Sequence, residues 1–284
     1  MAERGYVRRK FANRTMLVLC AAAAGIGLAL VALIIGYTVV QGASSLNLDF
    51  LTQGFKPLGE TGGGMRDEIF GTLILVTLGT IFAVPAGLMA GICLSEFAGP
   101  NVATAVRFSA DILAGVPSIV VGMFTYALML IIEPKYTFSA LSGGIGLAII
   151  MIPVIARTAE EALRLVPNAQ REAALALGIT RWRATLGVVI PGAITGIVTG
   201  VMLGVARIAG ETAPLIFTAF GNQFGVQGLL KPISALPLSI YRYAISPYKD
   251  WHRQAWAGAF LLIMLVLGIS IIVRWISSRK RIVS

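Results

Sequence analysis

Residues 192–220 read GAITGIVTGVMLGVARIAGETAPLIFTAF, an apolar run longer than the roughly 20 residues a helix needs to cross a bilayer core. Two charges, Arg207 and Glu211, interrupt it. Ionisable groups are expensive in hydrocarbon and mark a pathway or an ion pair. In the same run Gly192, Gly196, Gly200 and Gly204 recur at every fourth position, a stripe of small residues that lets transmembrane helices meet backbone to backbone. At about 100° per residue, Gly196, Gly200, Gly204, Arg207 and Glu211 fall within a sector of roughly 80°. The charges are therefore expected to face protein rather than lipid, and their i,i+4 spacing permits a mutual ion pair.

The rest of the chain has the same character. With 57% hydrophobic residues, 13% charged residues and a mean hydropathy of +0.84, it reads as an integral membrane protein and not as a soluble domain. Further runs of spanning length occupy 16–40, 69–94, 110–132, 140–157 and 255–276, which makes six spans with 192–220. The first run exceeds the about 7–15 apolar residues of a signal-peptide core, and no small-residue cleavage site convincingly follows it. It is expected to stay as an anchor. The predicted layout is a basic arm (1–15), the first span (16–40), an outer loop (41–68), a core of four spans (69–220) enclosing an inner loop (157–187), a second outer loop (221–254), the sixth span (255–276) and a tail (277–284).

The net charge of +10 is not spread evenly. The N-terminal arm, Arg107, the loop carrying Arg157, Arg164, Arg171, Arg181 and Arg183, and the C-terminal end from Arg274 through the tail hold 15 of the 23 basic residues. The positive-inside rule puts those segments, and both termini, in the cytoplasm. An even number of spans agrees.

Several chemistries find no support. Cys20 and Cys93 both lie in apolar runs, so they form no disulfide framework or metal cluster and read as packing residues. No lysine follows a glycine, so there is no phosphate-binding G-x-x-x-x-G-K loop, and TGGGM (61–65) reads as a flexible outer turn. The one histidine, His252, sits with Trp251 and Trp256 as an interfacial anchor. Nothing suggests independent catalysis.

The inner loop stands out. EEALRLVP and NAQREAALALG read as short helices, with Pro167 suited to a first turn, Gly178 to the residue past a helix end and Thr180 to a cap. The small apolar residues Ala173, Ala174 and Ala176 allow another protein to approach closely, and packing on the same chain is the alternative. Arg157, at the inner end of the fourth span, reads either as a pathway residue or as a snorkelling arginine. Glu96 and Asp111 read as interfacial, and Glu160 with Arg164 as an exposed i,i+4 pair.

EAALALGITRWRATLGVVIPG (172–192) resembles the EAA signature of ABC-transporter permeases: Glu172, Ala173 and Ala174, then Gly178, then Val188, Ile190 and Pro191. Residues 71–97, 111–128, 156–178 and 206–221 together resemble the permeases of phosphate importers, PstA type. The resemblance implies an all-α polytopic protein with six transmembrane helices and the type I ABC importer permease fold. It implies that Glu172, Ala173, Ala174 and Gly178 belong to a coupling helix docking on an ATPase, and it draws attention to the AR-x-x-GET pattern holding Arg207 and Glu211. Expected partners are a homologous second permease, a dimer of ATP-binding subunits and an extracytoplasmic phosphate-binding protein, with no nucleic acid. ATP and Mg would be used by the partner ATPase, and this chain would bind no cofactor or metal. The expected location is the inner, cytoplasmic membrane. Import of another oxyanion or a phosphonate, or ATP-independent anion carriage, are the alternatives.

Overall fold

The computed structural model describes residues 2–57 and 63–280, and among them no strand forms beyond one isolated bridge between Phe220 and Ile233. A long α1 (Ala2–Ala43) and a short α2 (Leu48–Thr52) lead into α3 (Arg66–Ile92), which runs on into a π turn, Cys93–Phe97. Next come α4 (Pro100–Gly115), α5 (Ser118–Ile132), α6 (Ala140–Arg164) and α7 (Asn168–Ala176). α8 (Arg181–Ala184) and a second π turn (Thr185–Val189) continue into α9 (Ile190–Ala209), followed by α10 (Ala213–Thr218), α11 (Leu236–Ala244) and α12 (Lys249–Lys280). Among the described residues five helices are long and apolar enough to cross a membrane, or six when α4 and α5 count as one broken span.

Three boundaries differ from the sequence reading. The third run is bent by 103° between α4 and α5. Val116 there is extended (φ −67°, ψ 131°), because the ring of Pro117 disfavours helical backbone in the residue before it. The fourth span reaches Arg164, so EEALR is the last part of α6 and not a separate helix. The helix continues because its charged side chains find partners there. The fifth span begins at Arg181 and ends at Ala209, with Gly210 as its C-cap; α10 is a separate turn. The inner loop 157–187 thus narrows to 165–180. Residues 58–62 of the outer turn and 281–284 of the tail lie outside the described residues.

The core is built on α3, α6 and α9. Leu75, Ala83, Leu147, Met151, Ile155 and Ile208 are buried together there, and glycines make the approach close enough. A Cβ at Gly87 would lie 2.8 Å from Ile155 Cβ, and one at Gly91 would lie 2.8 Å from Ala159 Cβ. Such small-residue contacts replace the hydrophobic drive that helices lack within lipid.

The end of the bundle expected to face outward is tied by backbone groups. The N–H groups of Ser139, Ala140 and Leu141 donate to the carbonyls of Thr218, Lys231 and Leu229, which supplies acceptors for donors that a helix start leaves unpaired. The Leu236 N–H donates to Thr72 Oγ1 at 2.8 Å. Tyr243 stacks on Trp251 at 5.0 Å between ring centroids. α1 differs from the core helices: residues 9–37 are all exposed, and it meets α12 near its C-terminal end, where Tyr37 lies edge-on to Trp256.

Candidate functional site

The glycine stripe of α9 packs on α6 as its spacing predicts. Added Cβ atoms at Gly196, Gly200 and Gly204 would lie 2.6 Å from Ala162 Cβ, 2.1 Å from Thr158 Oγ1 and 2.9 Å from Met151 Cγ. The two helices therefore run antiparallel with their backbones nearly in contact.

Arg207 lies in the last turn of α9, beyond this contact. Its side chain is 43% exposed and that of Glu211 is 18% exposed. On this chain α9 at this level turns Ile208 toward Gly79 of α3, which leaves Arg207 at the flank. Glu211 follows the helix end, with its N–H on Ile208 O. Arg207 Nε and Glu211 Oε1 stand 4.0 Å apart, a loose ion pair beyond hydrogen-bond distance. The guanidinium keeps donors in a fork that matches oxyanion geometry.

Arg157 is not part of the same constellation. Thr158, its neighbour, packs against Gly200, and seven residues of α9 from there to Arg207 span about 10 Å. Arg157 instead pairs with Asp111 of α4 at 3.3 Å and with Glu160 at 3.6 Å. Glu160 is 2% exposed and accepts from Arg107 Nε at 2.7 Å, with Arg164 Nη2 at 2.8 Å. The expected exposed Glu160–Arg164 pair is thus one arm of a buried carboxylate held by three arginines. α4 makes the difference by folding against the C-terminal part of α6 and delivering Arg107 and Asp111.

The EAA segment forms α7 and the turn after it. Pro167 occupies the N-cap position. Gly178 takes φ +76° and its N–H donates to Leu175 O at 2.9 Å, while the Ile179 N–H donates to Ala174 O at 3.3 Å. Glycine suits this place because its lack of Cβ makes left-handed backbone cheap. Thr180 sits at the N-cap of α8, but its hydroxyl makes no capping bond. Glu172, Ala173, Leu175 and Leu177 are exposed and Ala174 is buried, so α7 presents a small apolar face with an acidic residue beside it.

Sequence reasoning missed the partner of Arg171. Its guanidinium donates to both oxygens of Glu96, 2.9 Å from Nη2 to Oε1 and 3.3 Å from Nε to Oε2. Glu96 is 5% exposed and lies on the π turn ending α3, 75 residues away. No local spacing could have announced it. Both cysteines are free, and on this chain they are exposed rather than packed. His252 contacts a backbone carbonyl, that of Ser246. Among the described residues no group of three potential metal-ligating side chains occurs.

Residues 83–282 match the family model described as "Binding-protein-dependent transport system inner membrane component". The chain is 40% identical over 274 residues to the phosphate transport system permease protein PstA of Yersinia pestis, covering 96% of this chain and 92% of that one. It is 40% identical over 278 residues to the PstA of Xylella fastidiosa, covering 98% and 96%. The probable PstA of Methanocaldococcus jannaschii is 37% identical over 75% of each chain. Among solved structures, a chain of a bacterial alginate ABC transporter in complex with a periplasmic protein aligns with TM-score 0.65 at 14% identity, covering 96% of both chains. A chain of the MetNI methionine ABC transporter aligns with TM-score 0.61 at 21% identity, covering 74% of this chain and 93% of that one. These likenesses fix the fold as that of the ABC importer permeases. The chain belongs to the family of binding-protein-dependent transport system inner membrane components, and within it to the group of PstA permeases.

Proposed function

We propose that this chain is a transmembrane permease subunit of an ATP-driven importer of inorganic phosphate. The observation that carries the substrate is the likeness, over almost the whole chain, to relatives named for phosphate transport. The half-open Arg207 guanidinium at the outer end of α9 supplies chemistry suited to a phosphate oxyanion.

In this reading a binding protein delivers phosphate at the outer face, and this chain and a homologous second permease line the path. Arg207 meets the anion, while Glu211 competes for the guanidinium and helps release it. Arg157 stands at the inner end, where Asp111 and Glu160 hold it out of a tight anion complex. Two ATP-binding subunits use ATP and Mg and dock on α7 through Glu172, Ala173, Ala174 and the turn at Gly178. This chain performs no hydrolysis. ATP binding drives alternation because it favours one conformation through contacts made only there, and α7 is where those contacts enter. Both termini lie in the cytoplasm and the complex lies in the cytoplasmic, inner membrane.

The test is uptake of radiolabelled phosphate into vesicles holding this chain with its partner permease, ATPase and binding protein. Uptake that needs ATP and resists unlabelled sulfate, molybdate and phosphonate supports the reading. Displacement by one of those anions reassigns the substrate, and uptake without ATP points to a carrier.

A further inference from the structure

The five N–H donors of Arg171 all have acceptors, and the acceptors come from three separate elements. Nε and Nη2 bind the two oxygens of Glu96 on the π turn that ends α3. Nη2 also donates to Leu163 O at 2.7 Å, and Nη1 donates to Val166 O and, at 3.2 Å, to Asn168 Oδ1. A guanidinium has five N–H donors in a fixed plane; here each is used. Leu163 lies in the last turn of α6 and Val166 two residues past its end, where carbonyls lack i+4 helical partners.

Glu96 is fixed from its other side as well. Ser95 Oγ donates to Glu96 Oε1 at 2.9 Å. The neighbouring Phe97 ring carries the Arg181 guanidinium of α8 at 5.5 Å, so the segments before and after the Gly178 turn both grip the same π turn. Arg171 is 19% exposed and Glu96 is 5% exposed, and water screens such a pair far less than one at the surface.

We propose that Arg171 and Glu96 form the transmission joint of this permease: Arg171 is the positioning residue that makes α7 move as one body with the inner ends of α3 and α6. The proposal rests on the reading of α7 as the ATPase-docking helix. The exposed face of α7 receives the push, and the opposite face passes it to two of the three core spans through one guanidinium. Without the joint, α7 tilts about its Pro167 and Gly178 ends and the push is lost in the loop. Lysine cannot replace arginine, because a point charge with three donors cannot hold both Glu96 oxygens and the α6 carbonyls together.

The experiment measures ATP hydrolysis and phosphate uptake together in proteoliposomes holding the complete complex, with Arg171→Ala, Arg171→Lys and Glu96→Gln in this chain. The expected result is a fall of about tenfold in phosphate moved per ATP hydrolysed for Arg171→Ala, within the range of coupling changes that residues away from a ligand produce. Arg171→Lys and Glu96→Gln fall in the same direction by less. A merely structural role lowers the amount of assembled complex and leaves the ratio per complex unchanged, which overturns the proposal. Should Arg171→Ala not assemble, the ratio in the two conservative variants decides, and a wild-type ratio in both overturns it. A wild-type complex that moves no phosphate with ATP refutes the functional reading itself, an outcome distinct from a variant that stays coupled.

Discussion

Gly200 and Thr158 approach so closely that a Cβ on the glycine would lie 2.1 Å from the threonine Oγ1. That contact sets the distance between α9, which carries Arg207, and α6, which carries Arg157 and Glu160. Thr158 Oγ1 is itself occupied, donating to Val154 O at 2.8 Å, so it has little freedom to yield.

Gly200→Val therefore forces α9 off α6. Overpacking a filled interface costs about 1–3 kcal/mol, and thermal unfolding of the purified protein in detergent should show a clear drop in midpoint. Gly27→Ala is the control, since a Cβ there meets nothing within 4 Å on this chain. Equal midpoints for the Gly200 variant and wild type would refute the close packing.

Arg207→Ala should abolish phosphate uptake while the complex assembles at normal levels. Arg207→Lys should restore part of it, because charge remains but the planar fork does not. Uptake by Arg207→Ala at the wild-type rate, with equal protein in the membrane, removes Arg207 from the pathway.

Glu160→Ala leaves Arg107, Arg157 and Arg164 without their shared carboxylate. The three arginines stay partly hydrated, but losing hydrogen bonds to a charged group costs about 1.5–3 kcal/mol, so a marked loss of thermal stability is expected. Arg164→Ala removes an arm that is 53% exposed and should cost no more than about 1 kcal/mol. The contrast between the two variants is the readout, and similar losses would contradict the hub.

Gly178→Ala tests the turn after α7. The added Cβ meets nothing within 4 Å, so the cost comes from the left-handed backbone at φ +76°, about 1–2 kcal/mol. Co-purification of the ATPase with this variant should weaken, and more so with Leu177→Asp, which puts charge on an apolar side chain that is 81% exposed. Full retention of ATPase by both would move the docking surface elsewhere.

The sequence was most legible where one segment carries its own signal. The glycines four apart in α9 announced a packing face, and they pack on α6. Gly178 announced a helix end and takes positive φ, because only local backbone chemistry is needed to read it. Legibility failed where a partner comes from a distant segment. Glu160 looked like half of an exposed helix pair because its i+4 neighbour is visible in the sequence and Arg107 is not. Arg207 lies at the flank of this chain, because helical angle gives direction within one helix and not where the neighbouring helix ends.

By itself the sequence determined that this chain is a helical membrane protein with about six spans, an arginine-rich loop between two core spans and an EAA helix within it. Those properties follow from apolar run length, charge distribution and short spacings, all of which are local along the chain. Only the tertiary structure decided that Arg171 grips Glu96, that Arg107 closes on Glu160 and that the third span breaks sharply enough to lay α4 against the end of α6. These depend on how helices far apart in sequence cross one another, and buried ion pairs take their geometry from that crossing.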